Sequence, residues 1–321
     1  MSGKTIFACA VCFVIVGLLT SCGDKATDYQ LTDLYQINLY LDNDPIGRAA
    51  FPLVWMDTTD RSASYPHGST ATGVINPEDY WVEIVSCKRS IAAACSSVAD
   101  DFNGGDACGE TQLSAITRAP ARIATITEDL VCRYHIASAT DSTIIVKDVH
   151  YTGVLYALMA KLNSDNVIYK GWSLYAIGRQ KLAFAAGALD QVDSVVLVNS
   201  EGTHFRTYPT SSQIRYVPTT QLPAFSPGEE IGIEVYVRER SSTYRIADGY
   251  LNYKVGGRMR HEWMGQNYNG RFDYSVVEQS GGASGTLSQI VVELFGENSL
   301  RSDQVGAFNG LIWAITYKIG D

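Results

Sequence analysis

The sequence predicts a β-rich fold in two parts: a helix laid on an antiparallel sheet, followed by an all-strand sandwich. Three observations predict it. Apolar residues after Asn76-Pro77 recur at helical spacing. Beyond residue 130 the pattern changes to alternation and β-branched runs. From residue 191 strand signals return at short intervals, with turn residues between them and little helical periodicity. With 46% hydrophobic and 18% charged residues and no low-complexity tract, the composition suits a packed core rather than disorder.

The helix starts where Asn76 caps free amides, Pro77 takes the first turn, and Glu78 and Asp79 complement the helix dipole. Trp81, Ile84, Ile91, Cys95 and Val98 line its apolar face, interrupted by Lys88, and it ends near Asp100 before a polar loop at 100–106. Cys132, Tyr134 and Ile136 then alternate with Val131, Arg133 and His135 as a strand does. Residues 143–159 form a second strand with Gly153 as a bulge or bend, and 168–175 and 180–184 supply two more. A helix covering several such strands is an α+β layer, an element order similar to cystatin-like sheets.

The second part opens on a short buried strand at 192–198 and a turn at Asn199-Ser200-Glu201-Gly202. A stretch punctuated by Pro209, Pro218, Pro223 and Pro227 leads to Ile231, Ile233, Val235 and Val237, which alternate with Gly232, Glu234, Tyr236 and Arg238. Asp248-Gly249 reads as the tight turn of a hairpin between 244–246 and 250–253. Strands at 272–277, 289–295 and 311–319 complete the set; Trp313, Ile315, Tyr317 and Ile319 share one face of the last. The segment from Ser226 to Val237, Ser-Pro-Gly-Glu-Glu-Ile-Gly-Ile-Glu-Val-Tyr-Val, resembles strands of immunoglobulin-like domains in secreted bacterial proteins. That resemblance implies an immunoglobulin-like β-sandwich.

At the start of the chain Lys4 precedes an apolar run from Ile6 to Leu19, followed by Leu19-Thr20-Ser21-Cys22. A basic start, a short apolar middle and small residues before a cysteine make a secretory signal. Its 14 apolar residues fall short of the roughly 20 that a spanning helix needs. The tetrapeptide resembles the lipobox of bacterial lipoproteins. This resemblance implies lipid on the Cys22 thiol, cleavage before it, and acylation of the new amino terminus. The membrane, reached through that anchor, is then the first partner, and the folded part lies in the cell envelope outside the cytoplasm. The expected organisation is a lipoprotein signal peptide at 1–21, a lipid-anchored tether at 22–35, the α+β domain at 36–190 and the sandwich at 191–321.

Loss of residues 1–21 removes one basic side chain and leaves 24 basic against 34 acidic, a net charge of −10. Such a balance argues against nucleic acid as a partner, because phosphate backbones are bound by basic clusters. Four cysteines remain beside Cys22: Cys87, Cys95, Cys108 and Cys132. An even number in an exported chain favours disulfides. Eight helical residues would hold Cys87 about 12 Å from Cys95, too far for a bridge that needs Cα atoms within about 7 Å. Cys95–Cys108 with Cys87–Cys132 is the preferred pairing, and the crossed pairing stays open.

Motifs for chemistry are absent from the sequence. The five histidines, His67, His135, His150, His204 and His261, form neither HExxH nor HxH, so no metal and no cofactor is expected. Gly281-Gly282-Ala283-Ser284-Gly285 misses the GxSxG pattern, because Thr286 stands two beyond the serine, and reads as a turn. Asp42-Asn43-Asp44-Pro45-Ile46-Gly47 has the acids of a calcium loop, but Ile46 and Leu53 stand where oxygen ligands belong. Asp57, Asp60 and Glu83 are carboxylates available for glycoside hydrolysis only if the fold pairs them. Trp263, Tyr268 and Tyr274, near Arg258, Arg260 and Arg271, are the candidate ligand-binding residues: exposed together they would suit a glycan or an envelope protein, and otherwise they pack across the sheet. The expectation is a membrane-anchored envelope lipoprotein with a binding or structural role. The alternative is an exported hydrolase acting on polysaccharide or peptide.

Overall fold

The computed structural model describes residues 26–52, 80–95, 121–137, 144–162, 168–178, 180–184, 192–207, 216–237, 246–256, 258–266, 271–279, 281–296, 299–300 and 308–320. Two helices come first, α1 (Ala26–Asn43) and α2 (Pro45–Ala50). The helix therefore begins only four residues after Cys22, inside the stretch expected to be tether. Asp44 accepts a hydrogen bond from the Ile46 amide at 2.9 Å, and Pro45 fills the first turn of α2. One acid of the calcium-like segment is thus a helix cap.

Strands make up nearly all the rest. They are β1 (Tyr80–Cys95), β2 (Ala121–Ala137), β3 (Ile144–Lys161), β4 (Trp172–Ile177), β5 (Lys181–Phe184), β6 (Val192–Val198), β7 (His204–Thr207) and β8 (Val217–Pro218). Then follow β9 (Ala224–Phe225), β10 (Glu230–Val237), β11 (Ile246–Val255), β12 (Arg258–Gln266), β13 (Arg271–Val277), β14 (Leu287–Gly296) and β15 (Gly310–Ile319). Their hydrogen bonds run in one path, β1-β2-β3-β5-β15-β14-β11-β12-β13-β10-β6-β7, antiparallel throughout. The last strand, β15, sits between β5 and β14, so the ladder crosses residue 190 without a break.

Two expected elements are corrected. Residues 80–95 are a strand, not a helix, paired with β2 along their length. A register shift between Ile84 and Ser86 explains the misleading pattern. The extra residue makes the spacing between the inward Ile84 and Ile91 odd, seven, which coincides with two helical turns. Asp248-Gly249 is no turn either, because β11 runs straight through it. Gly249 is there for space: a Cβ would meet Met264 Cε at 2.9 Å and Phe272 Cδ1 at 3.0 Å. The chain reverses instead after Val255, where Gly256 has φ +55°.

Every residue of β14 is buried, and nearly every residue of β15. Alternation sends Ile290, Val292, Leu294, Trp313, Ile315 and Tyr317 to one face, against Leu197, Ile231, Ile233, Val235 and Phe272 of the β6–β10–β13 layer. The opposite face, with Val291, Phe295, Ile312 and Ala314, packs on Tyr134, Tyr151 and Leu155 of the long β2–β3 ladder and on Ile37, Leu41 and Phe51 of the helical segment. β14 and β15 are thus a middle layer between two cores, which is why their sequences read as continuous apolar runs.

The segment ending α2 is pinned by side chains from distant strands. Gln289 Nε2 donates to the Ala50 carbonyl at 2.6 Å, and Gln180 Nε2 donates to the same oxygen. Arg89 donates to the carbonyls of Phe51 at 3.0 Å and Pro52 at 2.9 Å while pairing with Glu128. These donors satisfy carbonyls that a helix end leaves open. Arg89→Ala strips the cation from a carboxylate only 1% exposed and should cost about 3–5 kcal/mol of stability by urea unfolding.

Candidate functional site

A buried carboxyl and a buried imidazole, both strongly perturbed, lie together on the first-core face of the middle layer. Alternation along β14 places Glu293 between Val291 and Phe295, facing the long ladder. In β11, Asn252 stands opposite Val291, and in β12, His261 stands opposite Asn252. Tyr80 reaches the same spot from β1, at the far end of the strand path. The sheet curls enough for its first strand to close over β12.

Four side chains form a closed hydrogen-bond circuit. Asn252 Nδ2 donates to Glu293 Oε1 at 2.8 Å, which leaves Asn252 Oδ1 to accept from His261 Nδ1 at 2.7 Å. With a proton on Nδ1, the neutral imidazole presents Nε2 as an acceptor, and the Tyr80 hydroxyl lies 2.8 Å from it. The same hydroxyl is 3.1 Å from Glu293 Oε2. When Tyr80 donates to His261, the last link closes only if Glu293 is protonated and donates to Tyr80. Ionised Glu293 accepts from Tyr80 instead, and the tyrosine oxygen then accepts from a doubly protonated His261. These two arrangements contain the same protons, shifted along Glu293, Tyr80 and His261.

Burial selects the uncharged arrangement. It pushes Glu293 up to about 7, against the opposing hydrogen bonds of Asn252 and Tyr80. It pushes His261 down to about 3. Part of the imidazole surface reaches solvent, but both nitrogens point inward, so the group titrates as a buried one. Aromatic rings enclose the circuit. Tyr250 stacks on His261 at 4.9 Å, and Tyr80 meets Tyr250 and Phe295 edge-on. Beside them the hydroxyls of Tyr134 and Tyr151 are 2.9 Å apart, and burial raises both phenols.

The residues singled out from the sequence fall elsewhere. Trp263 packs against the first core and Tyr274 against the second, so the structure does not bring them together; Tyr268 lies outside the described residues. Cys87 and Cys132 are free thiols, exposed and buried respectively, on the neighbouring strands β1 and β2. Cys87 stands opposite Leu130 and Cys132 opposite Ile84, a diagonal offset, and the preferred bridge between them is not formed. The Cys95 side chain and Cys108 lie outside the described residues, as does Cys22. Cys87 and Cys95 do remain far apart, now because eight strand residues span about 26 Å. Glu83 approaches Arg133 at 3.7 Å and His135 at 3.6 Å rather than a second carboxylate, and Asp57 and Asp60 are outside the described residues. Among the described residues no cluster of three or more His, Cys, Asp or Glu is arranged to hold a metal.

Glu293 was visible in outline: a lone acid inside the run Ile290-Val291-Val292-Glu293-Leu294-Phe295. Its partners were not, because they come from three other strands. No family model, curated protein or solved structure matches the chain.

Two measurements address this region. Between pH 4.5 and 7 folded Glu293 keeps a proton that the unfolded chain releases, so its contribution is full below 4.5 and is lost as the pH rises to 7. Between pH 3 and 6.5 the unfolded chain protonates a histidine that the folded protein keeps neutral, so His261 makes stability rise with pH. The slopes cancel where the windows overlap. Relative to the parent, Glu293→Gln, which can keep the circuit, should gain on the order of 2 kcal/mol across that overlap, and His261→Gln should lose a similar amount. Denaturant titrations at several pH values check both signs. Separately, iodoacetamide should modify Cys87 in the folded protein and Cys132 only after unfolding, as read by peptide mass spectrometry, because Cys132 is buried and burial raises its thiol pKa.

Proposed function

We propose that this chain is a cell-envelope lipoprotein, anchored through lipid on Cys22, whose β-rich body serves a binding or structural role. The observation that carries the reading is the sequence Leu19-Thr20-Ser21-Cys22 behind a short apolar run. Among the described residues no helix is long and apolar enough to cross a membrane. We take the layers around the second core to be the immunoglobulin-like sandwich suggested by residues 226–237. Its ligand class is an envelope protein or a glycan.

The hydrolase alternative draws support from the perturbed Glu293 and His261. Against it, the circuit spends its hydrogen bonds internally: both imidazole nitrogens and both carboxyl oxygens face one another's partners. Groups so occupied act as a clasp, holding β1 to β11, β12 and β14.

Cys22→Ser should move the protein from the detergent-requiring membrane fraction to the soluble one. In the parent, the amino-terminal peptide should begin at Cys22 and carry the mass of acyl chains. A native product starting at another, unmodified residue overturns the anchor.

A further inference from the structure

We propose that the contact between Tyr80 and His261 is a proton-operated latch: when the circuit loses one proton, Tyr80 releases His261 and the seam between β1 and β12 opens. The latch is independent of the lipid anchor.

Among the described residues no backbone ladder joins β1 to β12; β1 pairs with β2, and β12 with β11 and β13. The ladder between β12 and β13 covers only Gly265 and Gln266, so ladders hold residues 258–264 along one side only, to β11. That stretch is fixed at both ends. Before it the Gly256 amide donates to the Gln279 carbonyl, and after it Gly265 joins β13. His261 stands at the middle, where the Tyr80 hydroxyl arrives from the edge strand β1. A side chain so placed decides whether the stretch lies against β1 or bows away from it.

The closed circuit has four links and one hydrogen in each: Asn252 to Glu293, His261 to Asn252, Tyr80 to His261, and protonated Glu293 to Tyr80. Loss of the carboxyl proton leaves three hydrogens for these four links. The Tyr80 hydrogen then turns to the Glu293 carboxylate, because a bond to a charged oxygen is the stronger one. The hydroxyl oxygen now presents lone pairs to the His261 Nε2 lone pair across 2.8 Å. Tyr80 stays, held by Glu293 and by edge-on packing on Phe295 and Tyr250. His261, whose surface partly reaches solvent, is the partner that moves, and water takes the place of the hydroxyl at Nε2.

The surroundings leave Glu293 as the trigger. Cys132 and Tyr134 of β2 and Tyr151 of β3 face it, and burial keeps all three protonated. Tyr250 of β11 stands opposite it, with Asp248 two residues before on the same face, and β15 contributes only Ile312. Lys147 of β3 donates to the Ser299 carbonyl at 3.0 Å, and Arg89 and Glu128 farther along β1 and β2 pair with each other. Arg260 and Glu262 of β12 lie on the opposite face, where Glu262 accepts from Tyr253. His261 stays neutral down to about pH 3, whereas burial makes the Glu293 carboxyl ionise near pH 7. The latch is therefore closed below that pH and open above it.

Diethyl pyrocarbonate modifies neutral imidazole nitrogens, and peptide mass spectrometry reads the adducts site by site. Glu293→Gln supplies a carboxamide that donates to Tyr80 and accepts from Asn252 at every pH, so it holds the latch closed. Parent and variant are labelled side by side at pH 6 and pH 8.5. The parent-to-variant ratio at His261 should grow about tenfold between the two, because roughly a tenth of the carboxyls are ionised at the first and nearly all at the second. At His204, exposed on β7, the ratio should stay level. Tyr80→Phe, which lacks the hydroxyl, is the mirror case and serves if the first variant does not fold. It should label at His261 about tenfold faster than the parent at pH 6 and equally fast at pH 8.5. A ratio at His261 that is the same at both pH values, in either comparison, overturns the latch. So does iodoacetamide modification of Cys132 at pH 8.5, which would mark opening of the whole core rather than of the seam.

Discussion

The structure depends on a carboxyl group placed where burial disfavours its charge. Glu293 sits in the middle of a strand buried on both faces, and it is accommodated by a circuit of partners from three other strands. A buried carboxylate without partners would cost several kcal/mol. A protonated one that both donates and accepts within a closed circuit costs far less. Because Tyr80 belongs to β1 and His261 to β12, satisfying this acid also fixes how far the sheet curls. Apolar packing alone would tolerate small sliding of one layer on another; the directional bonds do not.

The same logic operates at the helical end. The carbonyls at the end of α2 would be unsatisfied beneath a packed sheet, and Gln180, Gln289 and Arg89 supply the donors. Thr316 Oγ1 connects the two glutamines, donating to Gln180 at 2.9 Å and accepting from Gln289 at 3.2 Å. Polar groups carried by β14 thus tie it in both directions, Gln289 toward α2 and Glu293 toward β1. The helical segment is held to the body by bonds from Arg89 and from two glutamines more than a hundred positions away, not by the short helix itself.

Much of the strand content was legible because side chains alternate wherever one face is buried. Cys132, Tyr134 and Ile136, and Ile231, Ile233 and Val235, were read as inward positions and are buried. The turn at residues 199–202 was legible too: Asn199 Oδ1 accepts from the amides of Glu201 and Thr203, and Gly202 takes φ +78°. Reading failed where a local signal had two meanings. A single bulge in β1 turned an alternating pattern into one that mimics a helix. At Asp248-Gly249 a glycine needed for close approach to Met264 and Phe272 looked like a turn. α1 was missed because its buried apolar stripe, Ile37, Tyr40 and Leu41, is short within an 18-residue segment rich in polar residues.

By itself the sequence determined the β-rich character of the chain and the inward positions of its regular strands. These follow from periodicity and from short contiguous motifs, which are properties of neighbours along the chain. Only the tertiary structure decided that β15 joins the two halves, that Trp263 and Tyr274 belong to different cores, and that Glu293 meets Tyr80, Asn252 and His261. Those outcomes depend on which strands become neighbours across the sheet. That pairing is fixed by long-range burial and hydrogen-bond satisfaction, for which no short window of residues carries the record.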